Sequence, residues 1–585
     1  MTIVLIFANA FIFDVVCAIS ATCHVSLLNM TPFKAFPVGL LASALFLTTA
    51  LAADIDVLDK QRQESPAPKS LPPRIIIDGN GNLAPDDSQK FVLGGLKVEG
   101  ATVFSAESLI EPWLHLYGRE TTFAQIKSIA AQMTKRYRDA DYILSRVEVP
   151  VDQDALDPAN AQVRLVVIEG RLDAIKFEGD EALVARVRDY WGDGEARLLA
   201  AKPLKYADVE REMLRLSDVA GIQATSRFTE GGAAGTTTLV ITLKHKPFDF
   251  SINGGNTGTR SAGRGLITVS ASVNSLLFIG SSTTLSYTQA NHRREYAAYT
   301  IAHSHQFANG FGVNASWSQS DSPEPDSNFA RIFDYETQSS TFSAGASYQA
   351  IRSRDLNLSV NLNYEQRNSD ANLLNSPYTR DRLRNIHLEA NFDFSDEWGG
   401  VTQIIPTLSR GVSWNSATDR DVKASAPLAP ASFTRGKLHL SRNQTLPGNF
   451  SLFAVAEGQL SSAPLSSYNR YTLGGNQFGR AYDPGIVEND NGVALSLEGR
   501  WNTSFSALTL QPFVFTDWGK VWAKQGGNSE HVGSVGLGVR LFARRLPGDV
   551  PGRVNLTFFA AKATQNAGKV SAGDNRAMFQ IFYSY

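Results

Sequence analysis

Sulfur is scarce in this sequence: of 585 residues, only Cys17 and Cys23 are cysteine and five are methionine. Beyond residue 23 there is no thiol, so neither a disulfide framework nor a cysteine-ligated metal is available there. Net charge is nearly absent too, at −2, which removes bulk electrostatics as a means of holding nucleic acid. After residue 53 no uninterrupted apolar run reaches about 18 residues, the length a spanning helix needs. Catalytic signatures are also missing. There is no Gly-x-Ser-x-Gly elbow, and the scattered Ser, His and Asp residues of the second half lack triad spacing. The glycines 254, 255, 258, 263 and 265 lack the Lys-Ser/Thr ending of a phosphate loop and read as a hairpin. His303 and His305 lie two apart with no third ligand nearby, so they read as a rim pair. The expectation is therefore no metal, no cofactor and no enzyme.

What is present begins with a secretory signal. Lys34 supplies the positive region, residues 38–47 the apolar run, and Ala50-Leu51-Ala52 a small-residue cleavage site. The signal region is set at 1–53, with a mature start near Ala53 or Asp54 and translation expected to begin at Met30. Residues 54–90 follow as a polar linker broken by Pro66, Pro68, Pro72 and Pro73, with room for one short helix near Val57 to Gln63.

Two similar units come next, at 91–170 and 171–246. Each reads strand, helix, helix, strand, strand, and Val98-Glu99-Gly100 recurs as Phe177-Glu178-Gly179 about 80 residues later. The helices are expected at 106–116 and 123–138, then at 181–190 and 206–219. Such a module leaves a short strand at a sheet edge, which can accept a guest strand. The edges expected to dock extended polypeptide carry Tyr142, Leu144, Val147 and Val149 in the first unit and Gln223, Thr225 and Phe228 in the second.

From 247 to 585 the period changes to two. Leu356-Asn357-Leu358-Ser359-Val360-Asn361-Leu362 and Ile386-His387-Leu388-Glu389-Ala390 alternate strictly between an apolar face and a polar or small one. About 16 such segments can be marked, an even number with roughly 21 residues per strand and turn, as an outer-membrane barrel requires. The longer gaps, 321–336, 367–379, 415–431, 461–489 and 562–575, fall mostly after odd strands, hence outside the cell. Short turns such as 352–354 and 502–504 fall after even ones. The fold class expected is thus α+β modules followed by an all-β transmembrane barrel of about 16 antiparallel strands.

Between the eleventh and twelfth strands, residues 461–490 form the longest loop, and Arg480 is an isolated charge between glycines and aromatics within it. Half of about 28 residues, extended at roughly 3.3 Å each, reaches on the order of 45 Å. The apolar band is roughly 25 Å tall. The loop is long enough to fold back and carry Arg480 into the lumen.

These features together resemble a family. The tandem units, with the junction Val167-Ile168-Glu169-Gly170-Arg171, are similar to polypeptide-transport-associated (POTRA) domains. Gly479-Arg480-Ala481-Tyr482 stands where two-partner secretion transporters of the haemolysin activator/secretion type carry Val-Arg-Gly-Tyr or Val-Arg-Gly-Phe. The flanks with Gly474 and Gly475, and the run with Asp490, Gly492, Glu498 and Arg500, are similar as well. Asp517 and Gly519 resemble the family's Asp-x-Gly strand motif. The terminal residues Phe579, Ile581, Tyr583 and Tyr585 resemble the last-strand signal read by the barrel-assembly machinery.

The resemblance implies a loop latch in which Arg480 pairs with Asp517, Tyr482 and Gly519 lying beside them. It implies a transporter that takes a secreted exoprotein cargo through the outer membrane, with lipid and the assembly machinery as further partners, no nucleic acid, and function as a monomer. The rival readings are an assembly factor of the same superfamily that inserts barrels or exports a lipid-linked cargo, and an outer-membrane adhesin or hydrolase. Two tensions stand out. If Phe513 and Phe515 face the wall, Asp517 shares their face and needs a bulge to reach the lumen. If Ala481 takes positive φ in place of the family's glycine, it is strained.

Overall fold

The computed structural model describes residues 76–77, 90–150, 157–233, 235–260, 262–323, 332–505, 508–527, 529–543 and 551–585. The expected signal region and the short helix at 57–63 lie outside them.

The first module packs two helices on a four-stranded sheet. Its strands lie in the order Glu120–Thr122, Lys90–Glu99, Ala161–Ile168, Arg146–Glu148. The first helix is α-helical only over Ala106–Ile110 and continues as a 3-10 turn through Leu116, with Pro112, which has no N–H to give, in the opening turn. The second helix, Phe123–Asp139, opens on a capping box between Thr122 and Gln125, and buries Ile126, Ile129, Ala130, Met133 and Tyr137 on one face.

The second module repeats the plan with one addition, a helix at Gly194–Ala200 between Glu181–Trp191 and Tyr206–Asp218. Its sheet runs Ile76–Ile77, Ile222–Glu230, Thr236–His245, Arg171–Glu178. The two modules share packing at their junction: Ile143 and Leu144 of the first join the core of the second. The junction acid Glu169 accepts from the backbone N–H groups of Thr102 and Val103 at 2.7 and 2.9 Å, from the Thr102 hydroxyl, and from the Tyr137 hydroxyl at 3.0 Å. Burial alone would raise its pKa, but these donors outweigh burial and lower it.

The rest is a closed antiparallel barrel. Its strands are β1 Phe248–Gly255, β2 Leu266–Asn274, β3 Ser281–Ala290, β4 Ala297–Gln306, β5 Phe311–Ser322, β6 Glu336–Arg352, β7 Leu356–Leu373 and β8 Ser376–Ser395. They continue as β9 Gly400–Gly411, β10 Thr434–Thr445, β11 Phe450–Ser461, β12 Asn491–Trp501, β13 Leu508–Trp522, β14 Glu530–Ala543, β15 Arg553–Ala563 and β16 Asn575–Ser584, which closes on β1. The sixteen strands match the alternation in the sequence. No helix of the described residues is long and apolar enough to cross a membrane; the crossing is made by strands.

Two connections differ from expectation. Residues 367–379 are not a long loop: β7 and β8 run on and meet in a tight turn at Leu374 and Asn375, both at positive φ. At about 3.3 Å per residue these strands span roughly 60 Å, well past the apolar band, and their outer parts are polar because they stand in water. Residues 502–504 are not a turn either, since Thr503–Phe505 carries β12 onward against β13.

Candidate functional site

Alternation along β13 decides what lies in the lumen. Phe513, Phe515, Asp517, Gly519 and Val521 form its buried face, while Val514, Thr516 and Trp518 point outward. The tension over parity is resolved: Phe513 and Phe515 share the lumenal face with Asp517, and no bulge is needed. In the β13–β14 register Phe515 lies opposite Gly536 and Phe513 opposite Gly538. A Cβ on either glycine would strike the facing ring, so each ring lies flat over bare backbone and offers its other face to the lumen.

Guanidinium groups occupy those faces. Arg480 sits 3.6 Å from the Phe515 centroid and Arg540 4.1 Å from that of Phe513, while Arg500 covers Phe453 on β11 at 4.1 Å. The lumen thus holds an aromatic shelf that positions three cations.

Loop 462–490 brings Arg480 there by folding inward. Its two arms pair as a short ribbon, Tyr471–Leu473 with Val487–Asn489. Glycines on the wall make room for the ribbon, since a side chain at Gly492 would meet the Tyr471 ring and one at Gly519 would meet Leu473. Gly474 and Gly475 turn the chain at φ +104° and +90°, conformations open to glycine. Gly479 does so again at +77°. Ala481 is not among the positive-φ residues, so the strain expected there is absent; within the tetrad the left-handed residue is Gly479. Leu473, Phe478, Ala481 and Tyr482 then pack with Phe513, Phe515, Val532 and Phe559 in one buried cluster between loop and wall.

At the tip, Arg480 is 4% exposed, Asp517 3% and Glu498 3%. Asp517 accepts from the Arg480 backbone N–H and Nε, each 3.1 Å, and from Nη2 at 2.9 Å. It accepts as well from the hydroxyls of Ser496 and Ser534, both at 2.8 Å. Arg480 Nη1 donates to Glu498 at 2.7 Å and Nη2 to Ser496 at 2.9 Å. Glu498 is itself a hub, held by Arg540 at 2.6 and 3.1 Å and by Arg500 at 2.6 Å. Charge-assisted bonds of this kind are the strong ones. The Tyr482 hydroxyl lies 2.9 and 2.7 Å from the Gly533 and Gln565 carbonyls and shares its one proton between them, tying the tip to β14 and the loop after β15.

The root of the loop is anchored elsewhere. Asp490 accepts from Leu465 N–H and Lys524 N–H at 2.8 and 2.9 Å. Tyr468 donates to Glu365 of β7 at 3.1 Å under the Arg367 guanidinium, and Asn469 receives Asn385, Arg435 and Gln459. Sequence reasoning named Arg480, Asp517, Glu498 and Arg500 by motif, and missed Arg540, Glu365 and Tyr468. The spacing Glu498–Arg500 on one strand face was the available signal for a lumenal charge cluster.

A model of the haemolysin secretion/activation proteins ShlB/FhaC/HecB matches residues 235–541, and a model of the ShlB-type POTRA domain matches 91–170. The chain belongs to this secretion/activation family. With its sixteen-stranded barrel and its POTRA modules, the protein sits in the outer membrane with those modules in the periplasm. The outer membrane transporter CdiB of Dickeya dadantii (strain 3937) is 25% identical over 387 residues, 64% of this chain and 66% of that one, just under two thirds of its length. The hemolysin transporter protein HpmB of Proteus mirabilis is 22% identical over 493 residues, covering 78% of this chain and 79% of that one. In fold, the chain is similar to CdiB from Escherichia coli, with a TM-score of 0.64 at 19% identity over 92% of this chain and 98% of that one.

The POTRA edges also take definite shape. Arg146–Glu148 is the outermost strand of the first sheet, but Tyr142, Leu144 and Val149 lie off it and Val147 is buried in the module's core. On Ile222–Glu230, Gln223 and Thr225 are exposed and Phe228 is buried. Ile76–Ile77 pairs in parallel with Arg227 and Phe228. Among the docking residues named from sequence, only Gln223 and Thr225 present exposed side chains, on the part of their strand that lies before its pairing with Ile76–Ile77. A guest strand would bond there through backbone.

Proposed function

We propose that this protein captures its secreted exoprotein cargo as extended chain in the periplasm and passes it through the barrel to the cell surface. Its role is conduction and not catalysis. Capture occurs by strand addition at Ile222–Ser226, where backbone groups at the sheet edge supply affinity without demanding a sequence; at Arg146–Glu148 the outward N–H of Val147 is already taken by the Thr134 hydroxyl at 2.9 Å. It works as a monomer embedded in outer-membrane lipid. The terminal strand with Phe579, Ile581, Tyr583 and Tyr585 is what the barrel-assembly machinery recognises during insertion.

The observation that carries this reading is the tip of the inward loop. It is seated inside the lumen against the inner wall, in the path a translocating chain takes, and its receptor is built to survive departure. When Arg480 withdraws, Glu498 keeps Arg500 and Arg540, and Asp517 keeps the hydroxyls of Ser496 and Ser534. No carboxylate is left buried and unpartnered, the outcome that makes breaking most buried ion pairs costly. The tetrad and the POTRA pair favour the transporter over the assembly-factor reading.

A reversible cross-link tests it. A Cβ built on Gly479 lies 3.4 Å from Val532 Cβ, close to disulfide geometry. With Gly479→Cys and Val532→Cys, oxidation should stop export of the co-expressed exoprotein and reductant should restore it. Undiminished export by the oxidised form would overturn the gating role.

A further inference from the structure

The first periplasmic turn, residues 275–280 between β2 and β3, is the most apolar connection at that end of the barrel: Leu276-Leu277-Phe278-Ile279. Its backbone is fixed to the second POTRA module. Arg186 donates to the carbonyls of Ser275 and Leu276 at 2.8 and 2.9 Å, and the Ser275 hydroxyl donates to the Ala220 carbonyl at 2.6 Å. Ile279 turns inward and joins that module's hydrophobic core. The other three turn away. Leu277 is 80% exposed and Phe278 70%, with Leu276 exposed beside them.

An apolar tip held this rigidly faces one of two media. Directly above it the outward face of β2 is Ile267, Ala271 and Val273, and that of β1 is Phe248 and Phe250, the lipid side of the wall. Phe307 and Phe311, stacked 5.9 Å apart around the next turn, extend the same apolar collar. The tip therefore continues the lipid-facing surface downward, beyond the last ladder pairs. Aromatic and aliphatic side chains at such a level belong to the membrane interface.

We infer that this turn is a membrane-interface anchor: Leu276, Leu277 and Phe278 seat in the periplasmic leaflet while Ile279 and Arg186 lock the second POTRA module to the same turn. The bilayer thereby fixes the height and tilt of the module beneath the barrel mouth. A patch reserved for a protein partner would instead stand in water when lipid alone is present.

Nitroxide labels on Leu277→Cys and Phe278→Cys, in a Cys17→Ser, Cys23→Ser background, decide between these media. The chain is reconstituted in vesicles of phosphatidylethanolamine and phosphatidylglycerol, and its folded barrel is verified by heat-modifiable migration. Leu285→Cys on the lipid side of β3 and Glu397→Cys in the turn after β8 are the references. The ratio of oxygen to nickel-chelate collisions at 277 and 278 should exceed that at 397 several-fold and approach that at 285. A ratio equal to that at 397, at either position, overturns the anchor. The measurement involves no export, so it stands or falls apart from the transport reading.

Discussion

The tip and the root of the inward loop are both buried, yet they are held by different physics. The tip places a charge in a receptor that already balances its own charges, with Arg500, Arg540 and two serines standing by. The root relies on hydrogen bonds scattered over many partners, among them Tyr468 to Glu365, Asn385 and Arg435 to Asn469, and Leu465 and Lys524 to Asp490, with one ion pair within the loop between Arg470 and Glu488. Strength at the tip is high while engaged and its loss is cushioned; the root is weaker bond by bond but spread over β7, β8, β10 and β11. A loop built this way releases at the tip and pivots at the root.

The largest effects break the tip from opposite sides. Asp517→Ala removes the acceptor of five donated bonds and leaves Arg480 to Glu498 and Ser496 alone, so a loss of about 3–5 kcal/mol is expected. Arg480→Ala strands no acid and should cost less, about 1.5–3 kcal/mol. Hydrogen exchange across residues 474–483 in folded barrels reads both. If the arginine variant exchanges faster than the aspartate variant, the cushioning argument fails.

Next in size is the tetrad backbone. Gly479→Val restores the residue usual in the family, but at φ +77° and with a Cβ 3.0 Å from Val532 Cγ2 it meets both strain and collision. A penalty of about 1–3 kcal/mol is expected, seen as a lower temperature for loss of the folded, fast-migrating band. Migration as robust as that of the unsubstituted protein would mean the tip takes another conformation.

At the root, Tyr468→Phe deletes one hydroxyl while keeping the ring under Arg367. Glu365 retains Asn385 at 3.2 Å, so the cost should be about 1 kcal/mol, and exchange should quicken near 465–470 while 478–482 stays protected. Quickening at the tip alone would reverse the division of labour.

What the sequence disclosed follows from period. Strict alternation marked the strands of the barrel, and the recurrence of a short strand-and-glycine motif marked the tandem modules. Where water replaces lipid on the outer face, alternation of hydropathy disappears; residues 367–379, polar and broken by Pro377, consequently read as loop although they are strand. Phe513 and Phe515 misled for the converse reason. An aromatic on a membrane strand looks lipid-facing, and only Gly536 and Gly538 on a strand not adjacent in motif reveal the inward shelf. Arg540 escaped notice because its partner, Glu498, lies 42 residues away with a whole strand between them.

The smallest effect concerns Ala481, and it separates the tip's charge from its backbone. This residue has taken the place of the family's glycine without adopting left-handed φ, so no strain is relieved by restoring glycine. Ala481→Gly should instead lose about 0.4–1 kcal/mol by loosening the unfolded chain, and should remove a methyl from the cluster around Phe515 and Val532. Combined with Gly479→Val it should worsen the loop and not rescue it, because the left-handed φ of this tip belongs to position 479 and not to position 481. Urea titration of the loop's exchange protection in the single and double variants measures this. A double variant more stable than Gly479→Val alone would show that the loop can shift its left-handed residue by two positions while keeping Arg480 on Asp517.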